Sequence, residues 1–124
     1  FISCFEKSKS VCIVLNISSG AGKHPIHSWS TYCASKAALD MLSQVLQLEY
    51  PKFKIYSIAP GIVDTAMQEQ IRGADKTNFP EVDRFISYKE DGELASAEVV
   101  AQKYVNFLKN CSKYKDVLYS VRDL

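Results

Sequence analysis

Residues 11–17, Val11-Cys12-Ile13-Val14-Leu15-Asn16-Ile17, are continuous, β-branched and apolar apart from Asn16. A strand with one wet face alternates apolar and polar residues. A strand without alternation is covered on both faces, as in a parallel sheet flanked by helices. The run is too short to cross a bilayer, which takes about 20 apolar residues, so no membrane partner is expected. The residues after the run agree with a parallel sheet. Ser18 to Ser30 contains Gly20, Gly22 and Pro25 and reads as a loop. A helix is predicted from about Thr31 to Tyr50, with Ser30 or Thr31 as N-cap and Pro51 as its stop. Lys54 to Ala59 alternates and reads as a second strand, ending at Pro60-Gly61.

The long helix carries two apolar stripes, Leu39, Leu42, Val45 and Leu46, and Ala38, Met41 and Leu48. One stripe is expected to face the sheet. The other faces a partner subunit or a second cover within the same chain. Beyond the second strand, Thr65 to Arg72 reads as a short helix and Gly73 to Pro80 as a polar connection. Glu81 to Lys89 reads as a helix with Val82, Phe85, Ile86 and Tyr88 on its apolar side. Ser96 caps a further helix whose apolar set is Val99, Val100, Tyr104, Val105, Phe107 and Leu108. Val117 to Val121 is the expected last strand, Phe1 to Phe5 the tail of a helix, and Glu6 to Ser10 a polar turn. Strand, helix, strand, helices, strand is a parallel α/β order. Ligands in such sheets bind at the carboxyl ends of strands. The loops Ser18 to Gly22 and Pro60 to Thr65 both come after strands and so belong to one rim.

A chain of 124 residues is one domain at most, and its formal net charge of +1 gives no reason to expect nucleic acid or an acidic membrane as partner. Cys4, Cys12, Cys33 and Cys111 show no CxxC spacing, and His24 and His27 are the two histidines, so no metal site is expected. Buried or partly buried free thiols in a reducing, cytoplasmic compartment are the expectation. No charged segment followed by an apolar stretch and a cleavage site opens the chain. It starts at Phe1 and not at a methionine, from which a fragment is expected.

Chemistry concentrates in Tyr32-Cys33-Ala34-Ser35-Lys36, at the start of the long helix. Residues i and i+4 share a helical face. A tyrosine of ordinary pKa near ~10 is a poor acid at neutral pH. A neighbouring positive charge favours the phenolate, so Lys36 is placed to lower the pKa of Tyr32 and make it a proton donor to a carbonyl oxygen. Ser19 can hydrogen-bond the same oxygen. No residue here is a hydride donor, so a reduction needs a nicotinamide cofactor. Tyr50 and Lys54 repeat the spacing, but Pro51 breaks the helix between them. Other chemistry fits less well. Ser19 is not in a GxSxG elbow, no acid is placed to orient His24 and His27, and Cys33 points about 100° around the helix from Tyr32. Gly20-Ala21-Gly22 is too short for a dinucleotide fingerprint and reads as a flexible loop.

Three stretches taken together, Asn16-Ile17-Ser18-Ser19-Gly20-Ala21-Gly22, Tyr32-Cys33-Ala34-Ser35-Lys36-Ala37-Ala38 and Ala59-Pro60-Gly61-Ile62-Val63-Asp64-Thr65, resemble the short-chain dehydrogenase/reductase family in order and spacing. The resemblance implies a Rossmann-like, doubly wound parallel sheet. Residues 1–124 would be a single partial domain, the C-terminal half, with the N-terminal nucleotide-binding half absent from this chain. It implies Ser19, Tyr32 and Lys36 as catalytic residues, with Tyr32 and Lys36 also meeting the cofactor and Lys36 holding the nicotinamide ribose. Pro60, Gly61, Val63 and Thr65 would line the nicotinamide, the Val63 backbone and Thr65 hydroxyl near its carboxamide.

Asp64-Thr65-Ala66-Met67-Gln68, and Asp83-Arg84-Phe85-Ile86 through Lys89-Glu90-Asp91-Gly92-Glu93-Leu94, look like the benzil-reducing branch of that family and, less closely, the sepiapterin-reducing one. This implies NADP(H) as cofactor and a small-molecule dicarbonyl such as benzil, or a pterin, as substrate. Met67 to Phe85 would cover the substrate, with Met67, Ile71 and Phe79 as an apolar wall. Family habit implies a homodimer or homotetramer at full length. The glycine-rich first turn, the ribose selector, the Asn-Ala-Gly strand end and the family's catalytic asparagine are not in these residues. The competing expectation is an inactive remnant or an interaction module derived from such a reductase.

Overall fold

The structure is a computed structural model that describes residues 2–124. Three parallel strands form one sheet in the order β1-β2-β3: Ile13–Ile17 (β1), Lys54–Ala59 (β2) and Leu118–Ser120 (β3). Ile13 lies opposite Lys54 and Ile17 opposite Ile58, while Ser57 to Ala59 pair with Leu118 to Ser120. The helices are Ile2–Phe5 (α1), Ser30–Glu49 (α2), Ala66–Arg72 (α3), Val82–Glu90 (α4) and Ala97–Lys109 (α5). The fold class is the expected one, a small parallel α/β sheet covered by helices. Phe1, predicted with α1, lies outside the described residues. Among the described residues no helix is long and apolar enough to cross a membrane.

The strand buried on both faces is β2 and not β1. Ile55, Tyr56, Ser57 and Ile58 are all buried, whereas every residue of β1 is partly or largely exposed. β1 lies at the edge of the sheet and starts later than its apolar run, with Val11 70% exposed. Cys4 is also exposed, unlike the other three cysteines, so the expectation of buried thiols fails there.

Successive side chains of a strand point to opposite faces, and β2 meets a different helix on each. On one face Tyr56 and Ile58 join Val100, Phe107, Cys111 and Val121 in the main core. Phe107 sets its ring edge-to-face on Tyr56 at 4.8 Å, and the Tyr56 hydroxyl donates to the Cys111 carbonyl at 2.9 Å. Ser96 caps α5 as predicted, its hydroxyl accepting from Val99 N. Only part of the predicted apolar set of α5 turns inward: Val100 and Phe107 are buried and Tyr104 packs beside them, while Val99, Val105 and Leu108 are exposed.

On the other face the hydrogen bonds between α2 and the sheet come from Lys36, Asp40, Ser43 and Gln47, at spacings that keep them on one side of a helix. Of the expected apolar stripes, Leu39 and Leu46 are partly buried. Asn16 Nδ2 donates to Ser43 Oγ at 2.9 Å, Ser57 Oγ to Asp40 Oδ1 at 2.7 Å, and the Ile55 amide to Gln47 Oε1 at 2.8 Å. Ser43 Oγ in turn donates to Leu39 O at 2.7 Å, so this buried hydroxyl both accepts and donates. Met41, Leu42, Val45 and Leu48 are exposed. The start of α2 also differs from expectation. Trp29 holds the N-cap position without a side-chain bond, in place of Ser30 or Thr31.

A second cluster forms beside the sheet. Phe79, Val82 and Phe85 are buried, with Ile26, Trp29, Ile71, Ala74, Ile86 and Tyr88 packed around them. It joins α3 and α4 to the segment that enters α2. Phe79 thus gives a core residue to what reads in sequence as a polar connection.

Candidate active site

β1 delivers Ser19. Ser18 N donates to Ile58 O at 3.0 Å and carries the sheet pairing one residue past the strand. Ser19 is extended and caps a tight 3₁₀ turn over Gly20–Gly22, its Oγ accepting from the Ala21 amide at 3.2 Å. That bond uses a lone pair of the hydroxyl and leaves its O–H to donate elsewhere. Gly20–Gly22 is thus a regular 3₁₀ turn where an irregular loop is expected. Gly22 sits directly against the backbone of α2.

The first two turns of α2 deliver Tyr32 and Lys36. The Lys36 ammonium donates to Ile17 O, at the end of β1, at 2.9 Å. It stands 5.7 Å from the centroid of the Tyr32 ring. The i and i+4 geometry expected from sequence is therefore realised, and the hydrogen bond to β1 holds the charge at the strand end. The rival pair is parted: Tyr50 is the C-cap of α2 and Lys54 opens β2, with its ammonium 3.8 Å from Cys111 Sγ. Glu81 meets His27 at the backbone amide at 2.9 Å, while the ring Nδ1 pairs with Ser28 Oγ at 2.8 Å.

β2 delivers the third part, residues 60–65. Gly61 has φ +78°, a left-handed conformation that glycine adopts without strain. Val63 then forms a parallel bridge to Ala95. The bridge bonds run from Ala95 N to Ile62 O and from Asp64 N to Ala95 O, both 2.9 Å. They leave the amide and carbonyl of Val63 itself pointing to the opposite side of the loop. Thr65 opens α3 in extended conformation without a side-chain cap bond. The hydrogen bond from Lys89 at 2.5 Å holds the Asp64 carboxyl below the usual range and ties the loop to α4.

Ser19, Tyr32, Lys36, Pro60, Gly61, Val63 and Thr65 all line one cleft of about 960 Å³. The structure therefore brings every predicted site residue together. One wall differs from expectation. Met67 and Ile71 line the cleft, but Phe79 does not: it is 4% exposed and stacked on Trp29 at 5.3 Å. Trp29 takes its place, with Tyr32 edge-on to the indole at 5.4 Å. Phe85 and Tyr88 of α4 complete the aromatic wall.

Trp29 was not singled out by its sequence, because a tryptophan before a helix carries no pattern of its own. Its setting depends on Ser28, the one described non-glycine residue with positive φ, at 66°. Ser28 Oγ donates to Asn78 O at 2.8 Å and so fastens this turn to the segment before α4. Ser18 Oγ and Gln68 Oε1 were likewise missed. Both belong to residues lining the cleft, and both atoms are buried without a hydrogen-bond partner.

Comparison with known proteins gives the family of the chain. The family model for short chain dehydrogenase matches residues 2–76. A benzil reductase ((S)-benzoin forming) from Bacillus cereus is 48% identical over 101 residues, covering 77% of this chain and 40% of that protein. A sepiapterin reductase from Meriones unguiculatus is 42% identical over 97 residues, covering 77% of this chain and 36% of that protein. A solved short-chain dehydrogenase/reductase from Saccharomyces cerevisiae superposes with a TM-score of 0.76 at 31% identity, covering 88% of this chain and 45% of that one. The chain thus spans about two fifths of the length of such relatives. With its family model matched over most of the residues and its strand-end cleft assembled from the three motifs, this chain belongs to the short-chain dehydrogenase family.

Proposed function

We propose that the protein carrying this chain reduces one carbonyl of an aryl-bearing dicarbonyl compound to an alcohol with NADPH, and that Tyr32 is the proton donor. The observation that supports this most is the convergence of Ser19, Tyr32 and Lys36 with residues 60–65 on one cleft. The residues fit a nicotinamide. The backbone groups of Val63 and the hydroxyl of Thr65 are not spent on the fold bonds that hold their loop. Ser18 Oγ and Gln68 Oε1 are buried polar atoms that a bound polar molecule would satisfy. In this reading Pro60, Gly61, Val63 and Thr65 hold the nicotinamide and Lys36 its ribose. The cofactor, when bound, supplies hydride to the carbonyl carbon.

The chain's own residues do the rest. Ser19 donates a hydrogen bond to the carbonyl oxygen and fixes it. The Tyr32 hydroxyl gives its proton to that oxygen as negative charge develops there. The Lys36 ammonium, 5.7 Å from the ring centre, stabilises the charge left on the phenolate. Trp29, Met67, Ile71 and Phe85 form a largely apolar wall suited to an aryl ring. The benzil and sepiapterin reductases among the relatives support a dicarbonyl or pterin substrate.

The test is NADPH oxidation by the protein that carries this chain, with benzil, simple diketones and sepiapterin compared. Benzil is expected to turn over fastest. Tyr32→Phe is expected to lower the rate by roughly 10²–10⁴-fold. Undiminished turnover in that variant removes the mechanism, and a preference for sepiapterin replaces the substrate class.

A further inference from the structure

The geometry points to Gly22 as a positioning residue: its missing side chain lets the turn carrying Ser19 seat on the backbone of α2, and this sets where Ser19 stands relative to Tyr32 and Lys36. The inference rests on the reading of those three residues as the reacting set.

Ser19 moves with its turn. Gly22 N donates to Ser19 O at 3.0 Å, and the Ala21 amide donates to Ser19 Oγ. A methyl group on Gly22 would stand 3.0 Å from the Lys36 carbonyl carbon, 3.1 Å from Ala37 N and 3.1 Å from Asp40 Oδ2, where ordinary contact begins at 3.4 Å. Two of these neighbours are backbone atoms of a long helix and cannot swing aside. The third cannot swing freely either. Asp40 is 7% exposed and its other oxygen accepts from Ser57 Oγ at 2.7 Å. An added methyl group therefore pushes the turn, and Ser19 with it, while Tyr32 and Lys36 stay on α2. Gly20, in the same turn, supplies the contrast, because a methyl group there meets nothing within 4 Å.

The experiment measures kcat and KM for benzil reduction with NADPH in the protein that carries this chain. Gly20→Ala is expected to stay within about threefold of the parent, and Gly22→Ala to lose roughly 10- to 100-fold in kcat with KM little changed. In a Ser19→Ala background, assayed at high enzyme concentration, Gly22→Ala is expected to cost less than about threefold further, since effects that act through one group do not add. Parent-like kcat in Gly22→Ala, or equal losses in both backgrounds, overturns the proposal. If Gly22→Ala does not fold, Asp40→Glu takes its place, pressing a longer carboxylate on the same turn, with the same dependence on Ser19 expected. Failure of both to fold makes the seat purely structural and also overturns it. Undiminished turnover in Tyr32→Phe removes the reading of the site. Loss in Tyr32→Phe without Ser19-dependence at Gly22 removes the positioning role alone.

Discussion

Helices α2 and α5 cover opposite faces of the same central strand, and they hold to it by different forces. α5 meets β2 through Val100, Tyr104 and Phe107 against Tyr56 and Ile58. α2 meets the sheet through Lys36, Asp40, Ser43 and Gln47, each in a hydrogen bond to β1, β2 or the residue before it. Apolar burial is strong but non-directional. Hydrogen bonds contribute less net energy but fix distance and angle. α2 is the helix that carries Tyr32 and Lys36, and its contacts are the kind that set rotation and register. Stability is thus concentrated on the α5 face and placement on the α2 face.

The largest expected effect tests the first half of this contrast. Phe107 is 1% exposed and packs on Tyr56, Tyr114 and Tyr119. Phe107→Ala is expected to cost about 3–5 kcal/mol of unfolding free energy. Denaturant unfolding of the protein that carries this chain reads that loss. Turnover per folded molecule should hold near the parent value. A loss under about 1 kcal/mol would break the assignment of stability to the α5 face.

A smaller effect tests the other face. Asp40→Ala leaves the Ser57 hydroxyl, in a residue 1% exposed, without its acceptor, at an expected cost of about 1–3 kcal/mol. Because Asp40 and Ser57 satisfy each other, Asp40→Ala with Ser57→Ala should cost clearly less than the two single changes summed, by roughly 1 kcal/mol or more. Strict additivity in denaturant unfolding would mean that the 2.7 Å bond does not join the two residues in solution.

The contrast also explains what was legible in the sequence. The α/β order, the strand Lys54–Ala59, the Ser96 cap and the Tyr32–Lys36 pairing are local, carried by periodicity, capping chemistry and the i, i+4 rule. The polar seat of α2 was not, because periodicity assigns the apolar stripe inward and cannot tell that Asp40 has Ser57 waiting for it from another strand. The exchange of Phe79 for Trp29 at the cleft wall has the same cause. Both are aromatic, and which of them faces the cleft depends on Ser28 and Asn78 meeting across fifty residues of chain. The double burial of β2 was hidden too, since Tyr56 and Ser57 put hydroxyls inside the strand and their partners, the Cys111 carbonyl and Asp40, lie elsewhere in the chain.

The smallest effect concerns the polar contact that α5 does make with β2. The Tyr104 hydroxyl donates to Ile58 O at 3.3 Å, and burial pushes its pKa up to about 12. A folded value above the ordinary one near ~10 means that the neutral hydroxyl favours the folded state. That contribution is fully present below about pH 10 and is lost as pH rises from there through the folded value. Tyr104→Phe removes the ionisation, so its thermal midpoint should fall less steeply than the parent's above about pH 10. At neutral pH the two should differ little, by about 1 kcal/mol or less, since a long hydrogen bond at the rim of an apolar contact contributes little. Identical alkaline slopes would mean that Tyr104 does not sense the core. A neutral-pH loss as large as that of Asp40→Ala would mean that α5, like α2, depends on a directed polar contact, and the difference between the two faces would then be one of degree.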